Sequence, residues 1–191
     1  PEAEGDERIL SCLNAAGIAN ARLDFTYGDE NGPPARLLSF LHANSIRIVL
    51  HLIQPLDEAR RMADDPSCQE KWRQFVQATL SRYGAMIEMV EIGSTINRKT
   101  WAGYTLAGFV RMWEVAWHEV RKTGLPLAGP SITDFEPPWN IGILAVLRAR
   151  RQLPDLQTDN LFAERTGEPE RYDHKVMGHF LAPLLKINLI K

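Results

Sequence analysis

The chain has 191 residues, of which 45% are hydrophobic and 24% are charged, and its formal net charge is −2. These values are typical of one globular domain with a sizeable core. They give no reason to expect nucleic acid as a partner. No run of about 18 apolar residues occurs, so no membrane span is expected.

The two ends of the chain predict that it belongs to a longer polypeptide. It begins with Pro1 rather than an initiator Met, and it stops at Lys191 within an apolar pattern. The only two cysteines, Cys12 and Cys68, are far apart, so we expect free thiols rather than a disulfide framework. No cluster of metal-ligating residues is evident, and we expect neither a metal nor another cofactor.

Strand and helix patterns alternate along the chain. The β-prone segments are predicted at residues 20–26, 46–53, 86–93, 126–132 and 159–164. Apolar residues at spacings of three and four predict helices between these strands, including a long helix that opens near Trp101. A last apolar segment, 176–190, predicts a helix that Pro183 kinks or divides.

This alternation favours parallel strands joined by right-handed crossovers. About five strands are present, against the eight strands and roughly 250 residues of a full barrel. We therefore predict an α/β fold, a (β/α)₈ TIM-barrel-like domain over residues 1–191 that covers about strands 2 to 6. A doubly wound sheet is the alternative, although the sequence contains neither of the Gly-rich phosphate-binding motifs common in such folds.

The most informative motif is the strand and loop at residues 89–98, MVEIGSTINR. It resembles the fourth strand of the large clan of (β/α)₈ glycoside hydrolases that act on β-linked sugars. In that clan the strand ends in an Asn-Glu pair, commonly within Gly-Asn-Glu-Pro-Asn. Gly93 and Asn97 match this pattern, but Ser94 stands where Asn is expected. Thr95 stands where the acid/base Glu is expected.

The resemblance implies a saccharide ligand and a substrate-binding site at the carboxyl ends of the strands. Arg22 matches a second-strand arginine that supports the nucleophile in these enzymes, and His51 matches a polar third-strand position. Carboxylates beside an aromatic residue suit sugar recognition after the strand at 126–132. The substrate-binding residues expected on these grounds are Arg22, His51, Ser94, Thr95, Asn97, Asp134 and Trp139. Six residues lie at the carboxyl ends of predicted strands, and we expect them to open onto one end of the barrel. They are Arg22, His51, Ser94, Asn97, Ser131 and Glu164.

Glycoside hydrolysis needs a carboxylic acid that protonates the leaving oxygen and a second carboxylate. A threonine hydroxyl cannot donate that proton near neutral pH, so an active enzyme would take its acid from Glu136 or Glu164. Glu91, four residues before Thr95, is interpreted as a paired charge of the barrel wall. The nucleophile would lie on a seventh strand that this chain does not reach.

Three functions remain open from the sequence. The chain is a degenerate barrel that binds saccharide, an active O-glycosyl hydrolase with a displaced carboxylate, or a non-catalytic barrel domain for assembly in a larger protein. A Ser/His/Asp hydrolase built from Ser94 or Ser131 with His51 is disfavoured, because no G-x-S-x-G motif is present.

Overall fold

The computed structural model describes residues 2–133 and 136–160. The helices are α1 (Glu2–Ala15), α2 (Pro33–Ala43), α3 (Leu56–Arg61), α4 (Pro66–Tyr83), α5 (Lys99–Ala102), α6 (Leu106–Arg121) and α7 (Pro137–Ala149). The strands are β1 (Asn20–Phe25), β2 (Arg47–Leu52), β3 (Met89–Ile92), β4 (Leu127–Thr133) and β5 (Leu156–Asn160). Short 3₁₀ turns cover Asp29–Asn31 and Gly84–Met86.

The five strands form one sheet in the order β1-β2-β3-β4-β5, and all four neighbouring pairs are parallel. The predicted parallel pairing is therefore confirmed. Sequential order without a reversal differs from the doubly wound sheet, whose strand order changes direction at a switch point. The arrangement is consistent with part of a TIM-like wall, and within the described residues the sheet does not close.

The strand boundaries differ from the prediction in two places. β5 begins at Leu156 rather than at 159, because the N–H of Asp155 donates to the Leu127 carbonyl at 2.8 Å and sets the start of the pairing with β4. β3 begins at Met89 rather than at 86, because the preceding residues form a 3₁₀ turn. Residues 161–164 of the predicted fifth strand and the predicted helix at 176–190 lie outside the described residues.

The predicted long helix near Trp101 is divided into α5 and α6. Gly103 ends α5 with φ 83°, a left-handed conformation that glycine adopts easily. Thr105 then caps α6, and its hydroxyl accepts a hydrogen bond from the Gly108 N–H at 3.0 Å. Trp101 therefore lies on α5 and not in the apolar stripe of α6, and it contributes to the site described below.

The helices pack against one face of the sheet. On β2 the side chains of Ile48, Leu50 and Leu52 are almost fully buried in one core with Trp72 and Trp113. Because side chains alternate along a strand, His51 points to the opposite face. The indole N–H of Trp113 donates to the Gln152 carbonyl at 2.8 Å, so the buried ring keeps its polar atom paired.

None of the helices in the described part of the chain is long and apolar enough to span a membrane. Cys12 is an exposed free thiol and Cys68 is a buried free thiol. Among the described residues, no group of three or more potential metal ligands comes together.

Asp155 links the β4–β5 pair to α6 and gives a pH-dependent contribution to stability. Its carboxylate accepts hydrogen bonds from Arg121 Nη1 and from the Leu127 N–H, both at 2.7 Å. The Arg121 hydrogen bond is the main cause that lowers the pKa of Asp155 below its ordinary value. A lowered pKa means stabilisation that is present above the unfolded value of about 3.9 and is lost as pH falls through the folded pKa.

We expect Asp155→Asn to lower the melting temperature at neutral pH and to reduce the further loss on acidification. Thermal unfolding followed by circular dichroism at about pH 7 and about pH 2 would measure both effects. An equal acid-induced drop in the variant and the original chain would contradict this role for Asp155.

Candidate functional site

A cluster of charged side chains lies on the sheet face opposite the helices. Strand register places Asp24, His51 and Glu91 side by side on β1, β2 and β3. Arg22 joins them, with Nε 2.8 Å from Glu91 Oε2 and Nη2 2.5 Å from His51 Nδ1. Glu91 is therefore the paired charge of the sheet wall that the sequence predicted, and only 4% of it is exposed.

We call Arg22, Asp24, His51 and Glu91 the inner charged cluster. Within it, His51 makes the connection to the loop after β3. It is fully buried, and Nε2 lies 2.9 Å from the Gly93 carbonyl oxygen, to which its N–H donates. Nδ1 lies between Arg22 Nη2 and Asp24 Oδ1, the latter at 2.9 Å. The hydrogen bond with His51 is the largest cause that lowers the pKa of Asp24, and the nearby charge of Arg22 adds to it. His51 thus connects β2 to the start of the loop after β3 through its bond to Gly93.

Asn97 fastens the loop after β3 to the end of β4. Its Oδ1 accepts from the Thr133 N–H at 2.9 Å, and its Nδ2 donates to the Thr133 carbonyl at 2.8 Å. The same Nδ2 donates to Glu136 Oε2 at 2.9 Å, while Arg98 Nη1 lies 2.5 Å from Glu136 Oε1. We call Asn97, Arg98, Thr133 and Glu136 the loop clamp. Both Glu136 oxygens act as acceptors within it.

The clamped loop contains a strained residue. Thr95 has φ 53°, in the left-handed region that β-branched residues rarely enter. Such a conformation costs about 1–2 kcal/mol per residue, so the surrounding contacts must hold it in place. Residues of this kind cluster at ligand sites and active sites. The strain lies at the position that corresponds to the acid/base Glu in the resemblance.

A cavity of about 150 Å³ opens between the carboxyl ends of β2 and β3 and helix α5. Its lining residues are Leu52, Ile53, Gln54, Gly93, Ser94, Thr95, Trp101, Ala102 and Tyr104. Trp101 is 79% exposed, an unusual state for a tryptophan. Gln54 and Tyr104 are buried, and the Tyr104 hydroxyl donates to Gln54 Oε1 at 3.1 Å. Burial raises the pKa of Tyr104, so this phenol stays protonated.

The structure distributes the expected site residues over several places. Ser94 and Thr95 line the cavity. Asn97 and Glu136 lie in the loop clamp, and Arg22 and His51 lie in the inner charged cluster. Trp139 instead lines an apolar groove between α6 and α7, together with Leu106 and Ile143. Asp134 and Glu164 lie outside the described residues. The substrate-binding role of the seven residues and the catalytic roles of Glu136 and Glu164 stay predictions.

Sequence reasoning missed Gln54, Trp101 and Tyr104 as site residues. Trp101 has a local signal, since it lies between the strand-end loop and Gly103 and does not fit the apolar stripe of α6. Gln54 lies two residues beyond the end of β2 and is the first polar residue after it. Tyr104 has no such signal, because its contact with Gln54 joins residues 50 positions apart.

Comparisons with known proteins give a distant likeness in fold. No model of a known protein family matches the chain, and no curated protein matches it. Seven solved chains match. One of them is the virulence factor SghA from Agrobacterium tumefaciens, with 12% sequence identity and a TM-score of 0.47. The match covers 69% of this chain and 36% of that protein, so the chain spans about a third of the length of the protein it resembles.

Proposed function

We propose that residues 1–191 form a glycoside-hydrolase-like domain of a longer polypeptide, which binds saccharide and lacks the usual catalytic acid at position 95. The observation that carries this proposal is the exposed Trp101 beside a cavity lined by Ser94, Thr95 and Gln54. This pairing of an aromatic face with hydroxyl and amide groups stands at the carboxyl ends of β2 and β3, where parallel α/β folds bind ligands.

The chemistry of the lining suits a sugar. A sugar ring has an apolar face that packs on an aromatic ring, and hydroxyl groups that need hydrogen-bond partners. Ser94 and Thr95 supply hydroxyls, and Gln54 supplies an amide. The cavity volume of about 150 Å³ is below the about 300–1,000 Å³ of drug-sized ligand pockets. It therefore fits one small polar unit, with Trp101 extending the contact outside.

The same geometry favours binding over cleavage. Glycoside hydrolysis uses two carboxyl groups beside the scissile bond, and among residues 2–133 and 136–160 none that lines the cavity carries a carboxyl group. Glu136 is occupied by Asn97 and Arg98 in the loop clamp. Thr95 has a hydroxyl that accepts and donates hydrogen bonds but does not serve as an acid near neutral pH.

We expect Trp101→Ala to weaken binding of neutral oligosaccharides by about tenfold or more, because each 1.4 kcal/mol of lost contact is a factor of ten in affinity. Isothermal titration calorimetry with the 191-residue chain would measure this. Ile141→Ala is the matched control, since Ile141 is also a largely exposed apolar side chain, on α7, and is not among the lining residues of the cavity. Its affinity should equal that of the original chain.

Two results would favour one of the other two functions instead of saccharide binding without cleavage. Robust turnover of unactivated glycosides by the unmodified chain would favour the active hydrolase, and Glu136 and Glu164 would be the first residues to replace. Turnover limited to aryl glycosides, whose leaving groups need little protonation, would fit a site without its acid. Neither binding nor turnover would favour the assembly role.

A further inference from the structure

One ring nitrogen of His51 lies between two partners with opposite requirements. Its Nδ1 is 2.5 Å from Nη2 of Arg22 and 2.9 Å from Oδ1 of Asp24. The guanidinium of Arg22 only donates hydrogen bonds, whereas the carboxylate of Asp24 only accepts them. Without a proton Nδ1 accepts from Arg22, and with a proton it donates to Asp24. Nδ1 therefore satisfies one of these two residues at a time.

The other ring nitrogen decides which form the neutral ring takes. Nε2 lies 2.9 Å from the Gly93 carbonyl oxygen, which only accepts, so Nε2 carries a proton. A neutral imidazole has one N–H, and placing it on Nε2 leaves Nδ1 as an acceptor for Arg22. A second proton turns Nδ1 into a donor to Asp24, while the bond from Nε2 to Gly93 stays in place.

We propose that His51 is a proton-dependent switch that exchanges Arg22 for Asp24 as the partner of Nδ1. In the neutral form, Arg22 donates to His51 through Nη2 and to Glu91 through Nε, which lies 2.8 Å from Oε2. In the protonated form, Nδ1 donates to Asp24, and Nη2 of Arg22 turns away from a ring that now carries a positive charge. The switch does not depend on the saccharide binding proposed above.

The surroundings of His51 leave room for this exchange. Among residues 2–133 and 136–160, the charged side chains that bond to His51 or to its partners are Arg22 and Asp24 on β1 and Glu91 on β3. The side chain of Arg22 is 38% exposed and that of Asp24 is 59% exposed, so the guanidinium has space to turn. The hydrogen bond with His51 and the charge of Arg22 lower the pKa of Asp24, so its carboxylate stays an acceptor.

The switch also acts on the loop after β3, through Gly93. A hydrogen bond from a charged donor is shorter and stronger than one from a neutral donor. A second proton on His51 therefore strengthens its bond to the Gly93 carbonyl, at the start of the loop that carries Thr95. Acidification releases Nη2 of Arg22 and at the same time holds this loop more firmly.

NMR spectroscopy of the 191-residue chain, with ¹⁵N in its histidine and arginine side chains, tests the switch between about pH 5 and pH 8, where histidine ordinarily changes charge. At the upper end we expect a proton on Nε2 of His51 and none on Nδ1. At the lower end we expect protons on both nitrogens. The side-chain signals of Arg22 should change over the same pH interval, because its Nη2 then leaves the ring.

Asp24→Asn identifies the acceptor of the second proton. It keeps the size of the side chain and removes the charge, so His51 should take up this proton at a pH lower by about one unit or more, because a nearby opposite charge favours the charged form. Asp57→Asn is the matched control, since the Asp57 side chain is 88% exposed on α3 and pairs with Arg60. It should leave the transition of His51 unchanged.

Three results would overturn the switch. A proton on Nδ1 at both ends of the pH range would make Asp24 its constant partner, and none at either end would make Arg22 its constant partner. The same transition in Asp24→Asn and in the original chain would show that Asp24 does not receive the bond. Melting temperatures show whether the variants fold, and the first two results need no variant.

Discussion

Replacing Gly129 with Ala is expected to lower the free energy of unfolding by about 3 kcal/mol or more. Losses of this size arise from changes that impose backbone strain or overpacking. Gly129 lies on β4 with φ 142°, where side chains are rarely tolerated. A Cβ there would overlap the Ile92 carbonyl oxygen of β3 and lie 2.7 Å from the Trp113 ring. Trp113 is fully buried, so it has little room to move away.

Gly142→Ala provides the matched control for this substitution. Gly142 lies within α7, and a Cβ there would meet nothing within 4 Å. Ala is favoured over Gly inside a helix by about 0.5–1 kcal/mol, so this variant should be slightly more stable. Urea unfolding of both variants would measure the difference. Similar unfolding midpoints for the two variants would contradict the close approach of β4 to β3.

Arg22→Met should also be strongly destabilising, by about 3 kcal/mol, because it leaves the Glu91 carboxylate without its cation. The Glu91 side chain is 5% exposed and Arg22 Nε lies 2.8 Å from it. Breaking a buried ion pair by removing one partner costs about 3–5 kcal/mol, and the partial exposure of Arg22 places this case at the lower end. Chemical denaturation at neutral pH would give the value.

Arg73→Met tests whether the environment of the pair decides the effect. Arg73 and Glu70 form an ion pair on the surface of α4, 2.5 Å apart, with both side chains more than a third exposed. Exposed pairs of this kind contribute about 0–1 kcal/mol. Arg22→Met combined with Glu91→Leu should recover part of the stability lost by Arg22→Met alone. Equal losses for the Arg22 and Arg73 variants would show that Glu91 tolerates burial without its partner.

The order of the strands was predictable because alternation of strand and helix patterns leaves few ways to pair them. The first residues of β3 and β5 were harder to predict. The start of β5 depends on Asp155, whose backbone and side chain both bond to Leu127 across 28 residues. No local pattern in the sequence indicates such a contact. The β-prone run therefore predicted a start for β5 that is three residues too late.

The candidate site was predictable only where its residues share one segment. Ser94 and Thr95 follow β3 directly, and the resemblance drew attention to them. Trp139 was expected at the site because an aromatic residue follows carboxylates in sequence. The structure places it on α7, in the groove facing α6. Trp101 lies in α5 and Tyr104 lies between α5 and α6, and the helical periodicity of the sequence does not reveal this division.

The loop clamp links residues of two segments that are far apart in the sequence. The Asn97 amide bonds to both the N–H and the carbonyl of Thr133, so it joins the loop after β3 to the end of β4 as a neighbouring strand would. Because Asn97 also bonds to Glu136, a change at Glu136 would act on Asn97 in the loop after β3, and such coupling runs equally in the reverse direction. We therefore expect a substitution of Glu136 to alter the position of Asn97 in the loop that carries Thr95.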